Sequence, residues 1–213
     1  MKMPSAVIFD FDGVIVESEQ EKFKVLNKLL KPYKLSIKKK DFSKMVGKKT
    51  PAFLKEYFGN KLNEEEMKNI EDERREWIIK NIEKTKPVKG VKDFIKFLKD
   101  KGIKLCIATG TRRPIVIKIL EVFGLAGTFD EYVTGEDFTT SKPDPEVYRI
   151  AIQRMNMPVE NLLAIEDSAA GVSSAKGAGI KCVAITTTQR KSELKEADIV
   201  VKSFSELRKI LVD

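Results

Sequence analysis

Residues 5–14 read Ser-Ala-Val-Ile-Phe-Asp-Phe-Asp-Gly-Val, and this stretch decides the fold. Ser5–Phe9 is a short apolar run with β-branched and aromatic content, which reads as a buried strand. Asp10 and Asp12 follow at once, and Gly13 breaks the run. In an open parallel sheet, ligands bind outside the carboxyl ends of the strands. Two carboxylates therefore stand where such a fold does its chemistry. Two like charges about 4 Å apart repel by roughly 4 kcal/mol at an effective dielectric near 20. A divalent cation is the usual way to offset that repulsion.

Further strands are expected at Leu105–Ala108, Tyr132–Thr134, Leu162–Ile165 and Cys182–Ile185, with an edge strand at Ile199–Val201. Amphipathic segments separate them, at Val91–Lys101, Pro114–Phe123, Pro145–Met155, Gly171–Gly177 and Phe204–Leu211. Strand–helix alternation implies an α/β fold with a Rossmann-like parallel sheet and helices on both faces. About 90 residues separate the first strand from the second, far more than a βαβ crossover needs. The expected organisation is a discontinuous core, 1–16 and 87–213, with an all-helical cap inserted at 17–86.

Within the insert, Phe23, Leu26, Leu29 and Leu30 share a helix face that Pro32 stops. Thr50-Pro51 reads as an N-cap followed by proline at the first helical position, and Gly59 ends that helix. Asn63 with Glu66 reads as a capping box opening a helix to about Glu83. Its apolar stripe is Met67, Ile70, Trp77, Ile78 and Ile82. Arg74 interrupts this stripe, and reads either as a snorkelling surface arginine or as one aimed into a substrate cleft.

Composition removes several classes of function. The chain has 213 residues, 34% charged and 42% hydrophobic, as expected of a globular protein of one or two domains. It contains no histidine, which excludes His-dependent triads and most zinc enzymes. Cys106 and Cys182 lie among aliphatic residues of expected strands and read as small buried hydrophobes. No run of 18 apolar residues is present, so no membrane span is expected. The apolar run after Lys2 is too short for a signal-peptide core, which points to a cytoplasmic location. The net charge is +8, and residues 17–86 carry most of it, with 19 Lys/Arg against 13 Asp/Glu. These charges are spread along helices and broken by acids. They fit a field that draws in small anionic substrates better than a nucleic-acid surface. A monomer or weak dimer is expected.

Three more segments at strand ends carry chemistry. Ala108-Thr109-Gly110-Thr111 places a hydroxyl and a glycine where backbone N–H groups can approach an anion. Thr139-Thr140-Ser141-Lys142-Pro143-Asp144-Pro145 offers a lysine that can neutralise phosphate as a point charge. Leu162–Ile165 runs straight into Glu166-Asp167-Ser168, a second acid pair. Each alone has a plain structural reading: a strand–helix turn, a solvated lysine, a helix N-cap. Together they form a set that a sheet would bring to one edge. Oxygen-only ligands in that set favour Mg²⁺ over softer metals.

In these segments the chain resembles the haloacid dehalogenase superfamily, specifically its small phosphatases and β-phosphoglucomutase-like members. The likeness rests on Asp10-Phe11-Asp12-Gly13-Val14, Thr109, Ser141-Lys142-Pro143-Asp144 and Ile165-Glu166-Asp167-Ser168-Ala169-Ala170-Gly171. It spans the whole chain, including the cap inserted after the first strand, although the cap sequence is less specific. The resemblance implies a Mg²⁺-dependent phosphatase of a small phosphorylated metabolite. Asp10 would be the nucleophile that forms an aspartyl-phosphate, and Asp12 the general acid and then base. Asp10, the Asp12 carbonyl and Asp167 would hold Mg²⁺, with Glu166 supporting it through its water shell. Thr109, Gly110 and Lys142 would grip the phosphoryl oxygens. Candidates for substrate contact from the cap are Lys22, Arg74, and Gly47, Lys48, Lys49 and Thr50 of the specificity loop.

Two departures stand out. Relatives carry histidine near Lys22, and many carry aspartate at Glu17. In mutases that histidine helps hold off hydrolysis, so its absence weighs against the alternative, a β-phosphoglucomutase-type sugar phosphomutase. Asp12 argues against a dehalogenase. A receiver-type signalling domain would be shorter and uncapped.

Overall fold

A computed structural model describes residues 1–212. Six strands form one parallel sheet: β1 (Ala6–Phe9), β2 (Lys104–Ala108), β3 (Glu131–Val133), β4 (Leu162–Glu166), β5 (Lys181–Ile185) and β6 (Ile199–Val201), in the order β3-β2-β1-β4-β5-β6. The register sets Phe9 beside Ile107 on one side and Ile165 on the other. The chain therefore builds outward from β1 in one direction, then returns to build in the other. This is the 3-2-1-4-5-6 order, whose switch point opens a crevice at the carboxyl ends of β1, β2 and β4.

Side chains alternate between the two faces of the strands. Val7, Phe9, Leu105, Ile107, Leu163 and Ile165 face one hydrophobic cluster, packed under α5 (Val91–Asp100), α6 (Arg113–Phe123) and α9 (Phe204–Val212). Ala6, Ile8, Cys106, Ala108, Ala164 and Cys182 face the other, under α7 (Glu146–Met155) and α8 (Ala169–Gly177). The second face is built mostly of small side chains, and both cysteines serve there as buried free thiols. Full burial of a Val, Leu, Ile or Phe side chain contributes about 1.5–3 kcal/mol, so these two layers hold the sheet rigid beneath its edge.

Between β1 and α5 lie the helices α1 (Glu19–Leu30), α2 (Phe42–Met45), α3 (Thr50–Phe58) and α4 (Glu64–Lys80). Leu26, Leu30, Phe53, Leu54, Met67 and Ile70 form a separate apolar cluster among them. The capping box of α4 is present: the Asn63 side chain accepts from Glu66 N, and the Glu66 side chain accepts from Asn63 N, both at 2.8 Å. Thr50 is the first residue of α3, with Lys49 rather than Thr50 at the N-cap. α4 ends at Lys80, and Ile82–Lys84 is a separate 3₁₀ turn rather than its continuation. The entry and exit segments run side by side, with Glu17 N donating to Lys86 O and Val88 N to Ile15 O, each at 2.9 Å. No helix is long and apolar enough to cross a membrane among the described residues.

Candidate active site

The sheet delivers Asp10 to the end of β1, Thr109 to the end of β2, and Glu166 and Asp167 to the end of β4. Lys142, from the loop before α7, reaches them from 132 residues after Asp10 and 24 before Glu166. Its Nζ lies 2.6 Å from Asp10 Oδ1 and 2.6 Å from Glu166 Oε1, and it also donates to Ala108 O at 3.2 Å. All four of Asp10, Lys142, Glu166 and Asp167 are buried. Thr109 is buried beside them, and its Oγ1 accepts from Thr111 N at 3.0 Å.

Three carboxylates share this space with one ammonium. Oxygens of Asp10, Glu166 and Asp167 all lie within 4.8 Å of one another. Burial, only partly offset by Lys142, pushes Asp10 up to about 7. Burial, with Asp10 and Glu166 adding to it, pushes Asp167 well above the usual carboxylate range. Lys142 moves upward because the two acids outweigh its desolvation. Asp167 Oδ2 accepts from the Thr188 hydroxyl, while Asp167 Oδ1 is buried with no hydrogen-bond partner among the described residues. An orphaned carboxylate oxygen beside excess negative charge fits a divalent cation with oxygen ligands.

Glycine is required at positive φ at two points around this cluster. Gly13 has φ +81°, and a Cβ there would overlap the Asp167 carboxylate. Gly47 has φ +80°, and a Cβ would lie 2.6 Å from Ser168 Oγ. The backbone of the 45–50 loop thereby rests directly on the turn after β4. Two side chains fasten the neighbouring residues to the loops after β3 and β5. Lys49 Nζ donates to Gly135 O at 3.2 Å and Phe138 O at 3.0 Å, and Gln189 Nε2 donates to Ser43 O at 2.8 Å.

Asp12 stands apart from the other acids. It accepts from Ser18 Oγ at 2.5 Å and Thr111 Oγ1 at 2.6 Å, and Lys22 Nζ lies 2.7 Å away. Burial pushes it up, but Lys22 and these hydrogen bonds outweigh burial and hold it below the usual range. The two aspartates of one motif thus differ in their preferred protonation state because one meets crowded acids and the other meets donors.

An inner cavity of about 380 Å³ is lined by Asp10, Asp12, Thr109 and Gly110 on the sheet side and by Gly47, Lys48, Lys49 and Thr50 opposite. Lys22 and Arg74 line both it and an adjoining outer cavity of about 770 Å³. Arg74 faces the cleft rather than solvent, held by both oxygens of Glu71. Lys48 is paired with Glu56 at the cavity rim.

A family model for haloacid dehalogenase-like hydrolases matches residues 7–185. The chain belongs to that family. The Bacillus subtilis protein YhcW is 34% identical over 187 residues, 86% of this chain and 84% of that one. The phosphorylated carbohydrates phosphatase of Thermotoga maritima is 32% identical over 179 residues, 83% of this chain and 82% of its own. Among solved structures, CbbY from Rhodobacter sphaeroides in complex with phosphate superposes with a TM-score of 0.85 at 25% identity, covering 96% of both chains. This hydrolase is accordingly a phosphatase of small phosphorylated molecules, a phosphoric monoester hydrolase.

Sequence reading missed several groups that hydrogen-bond the candidate acids. Ser18 and Thr111 on Asp12, and Thr188 on Asp167, are hydroxyls at strand or loop ends. The Thr186-Thr187-Thr188 run after β5 was the available signal for the last. Tyr148, whose hydroxyl donates to Glu166 Oε1 at 2.7 Å, sits two residues inside α7 and looks like any core aromatic.

Proposed function

We propose that this chain is a Mg²⁺-dependent phosphatase that works through an aspartyl-phosphate on Asp10. The observation that carries the reading is the meeting of Asp10, Lys142, Glu166 and Asp167 in one buried cluster with an unpaired carboxylate oxygen. The Asp10 and Asp167 carboxylates and the Asp12 carbonyl would hold Mg²⁺, with Glu166 behind them. The ion would neutralise charge on the transferring phosphoryl group.

In the first half-reaction an Asp10 carboxylate oxygen attacks phosphorus, and the bond from phosphorus to the leaving oxygen breaks. The Asp12 carboxyl gives its proton to that oxygen, releasing the alcohol. In the second, the Asp12 carboxylate takes a proton from water, which attacks phosphorus and frees Asp10 and inorganic phosphate. Lys22 favours the ionised form of Asp12, which suits the water-activating half. The negative phosphoryl group of an arriving substrate acts in the opposite sense and favours the protonated form. Lys142, Thr109 and the Gly110 amide are placed to bind phosphoryl oxygens, so the protein chiefly positions groups and cancels charge.

Residues 17–86 act in this reading as a cap. Gly47–Thr50, Arg74 and Lys22 face the leaving group, and closure keeps bulk water out until the acyl-phosphate has formed. The decisive experiment is phosphate release from p-nitrophenyl phosphate with Mg²⁺ and with EDTA, for the natural chain and for Asp10→Asn. Activity that needs the cation and vanishes in Asp10→Asn is expected; retained activity in Asp10→Asn overturns the reading. The phosphomutase alternative predicts conversion of β-glucose phosphate in the presence of a hexose bisphosphate. No contact around Lys22 favours it.

A further inference from the structure

Three consecutive side chains after β5 each reach a different part of the site. Thr187 Oγ1 donates to Gly13 O at 2.5 Å, on the turn after β1. The Thr188 hydroxyl donates to Asp167 Oδ2, on the turn after β4. Gln189 spans two segments at once: its Oε1 accepts from Ala169 N at 2.7 Å, and its Nε2 donates to Ser43 O at 2.8 Å. Ser43 lies in α2, among the inserted helices, and Ala169 opens α8 two residues after Asp167. None of the four motif segments of the sequence includes this turn.

Each contact is chemically determined. A hydroxyl has one proton to give, and Thr188 gives it to Asp167 Oδ2. Asp167 Oδ1 is then the bare oxygen, buried and without a partner among the described residues. A Cβ at Gly13 would overlap both the Asp167 carboxylate and the Thr188 hydroxyl, so the turn after β1 closes tightly over this pair. Gln189 is buried, and its partners fix which end is which, because a main-chain N–H only donates and a carbonyl only accepts. A glutamate there would satisfy Ala169 N but would set a carboxylate oxygen against Ser43 O.

We infer that this turn couples the candidate cation site to the seat of the inserted helices. Thr188 orients Asp167 so that a single oxygen is left for the cation, and Gln189 carries the setting of the turn after β4 to Ser43. Both are positioning residues, acting through Asp167 and Ser43 rather than on the reacting atoms. Coupling of this kind is reciprocal: a cation on Asp167 steadies the segment around Ser43, and that segment, once seated, tightens the cation. The inference rests on the Mg²⁺ reading of the same site.

Two measurements test it, and neither reads turnover. Isothermal titration gives the Mg²⁺ affinity. Amide hydrogen exchange, read by mass spectrometry, follows residues 42–50 with Mg²⁺ and with EDTA. In the natural chain, saturating Mg²⁺ is expected to slow exchange there by about fivefold or more, the lower end of coupling between sites. Thr188→Val removes the hydroxyl and little volume, and should weaken Mg²⁺ by about tenfold or more, as loss of a group behind a metal ligand does. Thr188→Ser should restore most of that affinity. A hydroxyl that only stabilised the fold would lower Tm in EDTA and leave Mg²⁺ affinity unchanged. Gln189→Glu should still bind Mg²⁺, about fivefold more weakly, and lose the slowing in 42–50. Mg²⁺ that binds the natural chain without slowing 42–50 overturns the coupling, and that outcome needs no variant. Equal Mg²⁺ affinity in a folded Thr188→Val overturns the role of Thr188. Slowing retained in Gln189→Glu overturns the role of Gln189. No Mg²⁺ binding by the natural chain, with phosphate release indifferent to EDTA, removes the cation reading itself and the inference with it.

Discussion

The Tyr148 hydroxyl donates to Glu166 Oε1 at 2.7 Å, and the same oxygen receives Lys142 at 2.6 Å. Tyr148 is fully buried, so a core aromatic fixes the acid that fixes the lysine that touches Asp10. Tyr148→Phe removes one donor and little volume. It should cost about 1–3 kcal/mol in urea unfolding, the scale of a lost hydrogen bond to a buried charged group. It should also lower kcat more than it raises KM, because the change reaches Asp10 through Glu166 and Lys142 and does not touch the cavity that would hold the substrate. Steady-state kinetics on p-nitrophenyl phosphate would show the split.

Lys142→Met leaves Asp10 and Glu166 buried without their shared cation. Breaking a buried ion pair on one side typically costs about 3–5 kcal/mol. Thermal unfolding should fall accordingly in EDTA, and phosphate release should disappear. Lys142→Arg should not restore activity, since a planar guanidinium does not replace a compact ammonium between two carboxylates and a carbonyl.

Metal-free stability should fall as pH rises. Asp10 moves from an ordinary 3.8 to about 7 on folding, so over that interval the folded chain binds more protons than the unfolded one. The slope of unfolding free energy with pH is then negative between about pH 4 and 7, and levels off above it. Asp167, also raised, acts in the same direction. A cation competes with those protons, so the rise in Tm on adding Mg²⁺ should be larger at pH 8 than at pH 5. Melting curves with Mg²⁺ and with EDTA at the two pH values check this; an equal rise at both would count against a cation on Asp10 and Asp167.

Gly171→Ala should carry the opposite sign from the usual helix substitution. Alanine for glycine inside a helix ordinarily stabilises by about 0.5–1 kcal/mol. At Gly171 in α8, however, a Cβ would overlap the Glu166 carboxylate. Overpacking of this kind costs about 1–3 kcal/mol, and it would push Glu166 from Lys142. Urea unfolding and phosphate release should both fall.

The parts of the fold that the sequence revealed are those written in local periodicity. Each strand was placed within a residue of its observed ends, because four of the six strands contain buried apolar runs bounded by turns. The boundaries that slipped furthest, Thr50 at α3, the end of α4 and the start of α8 at Ala169 rather than Gly171, are helix termini, where one residue's conformation decides the limit. The acids and Lys142 were legible because charged groups at the ends of apolar strands are costly without a purpose. Ser18, Thr111 and Tyr148 were not, since a hydroxyl's role depends on which carboxylate it meets across the fold. Glu19 and Glu71 carried no such signal; each is paired with cations of its own helix, Lys22 for Glu19 and Arg74 and Arg75 for Glu71, and only the packing of α1 beside α4 brings both to the cleft.

The paired segments at Ile15–Glu17 and Lys86–Val88 bring both connections of residues 17–86 to one narrow neck. Beyond that neck the same residues still touch the loops of the sheet, through Gly47 on Ser168, Lys49 on Gly135 and Phe138, and Lys22 on Asp12. Remodelling of these helices is therefore tied to the sheet: a change at Gly47, Lys49 or Lys22 shifts the setting of the candidate acids together with the shape of the cleft.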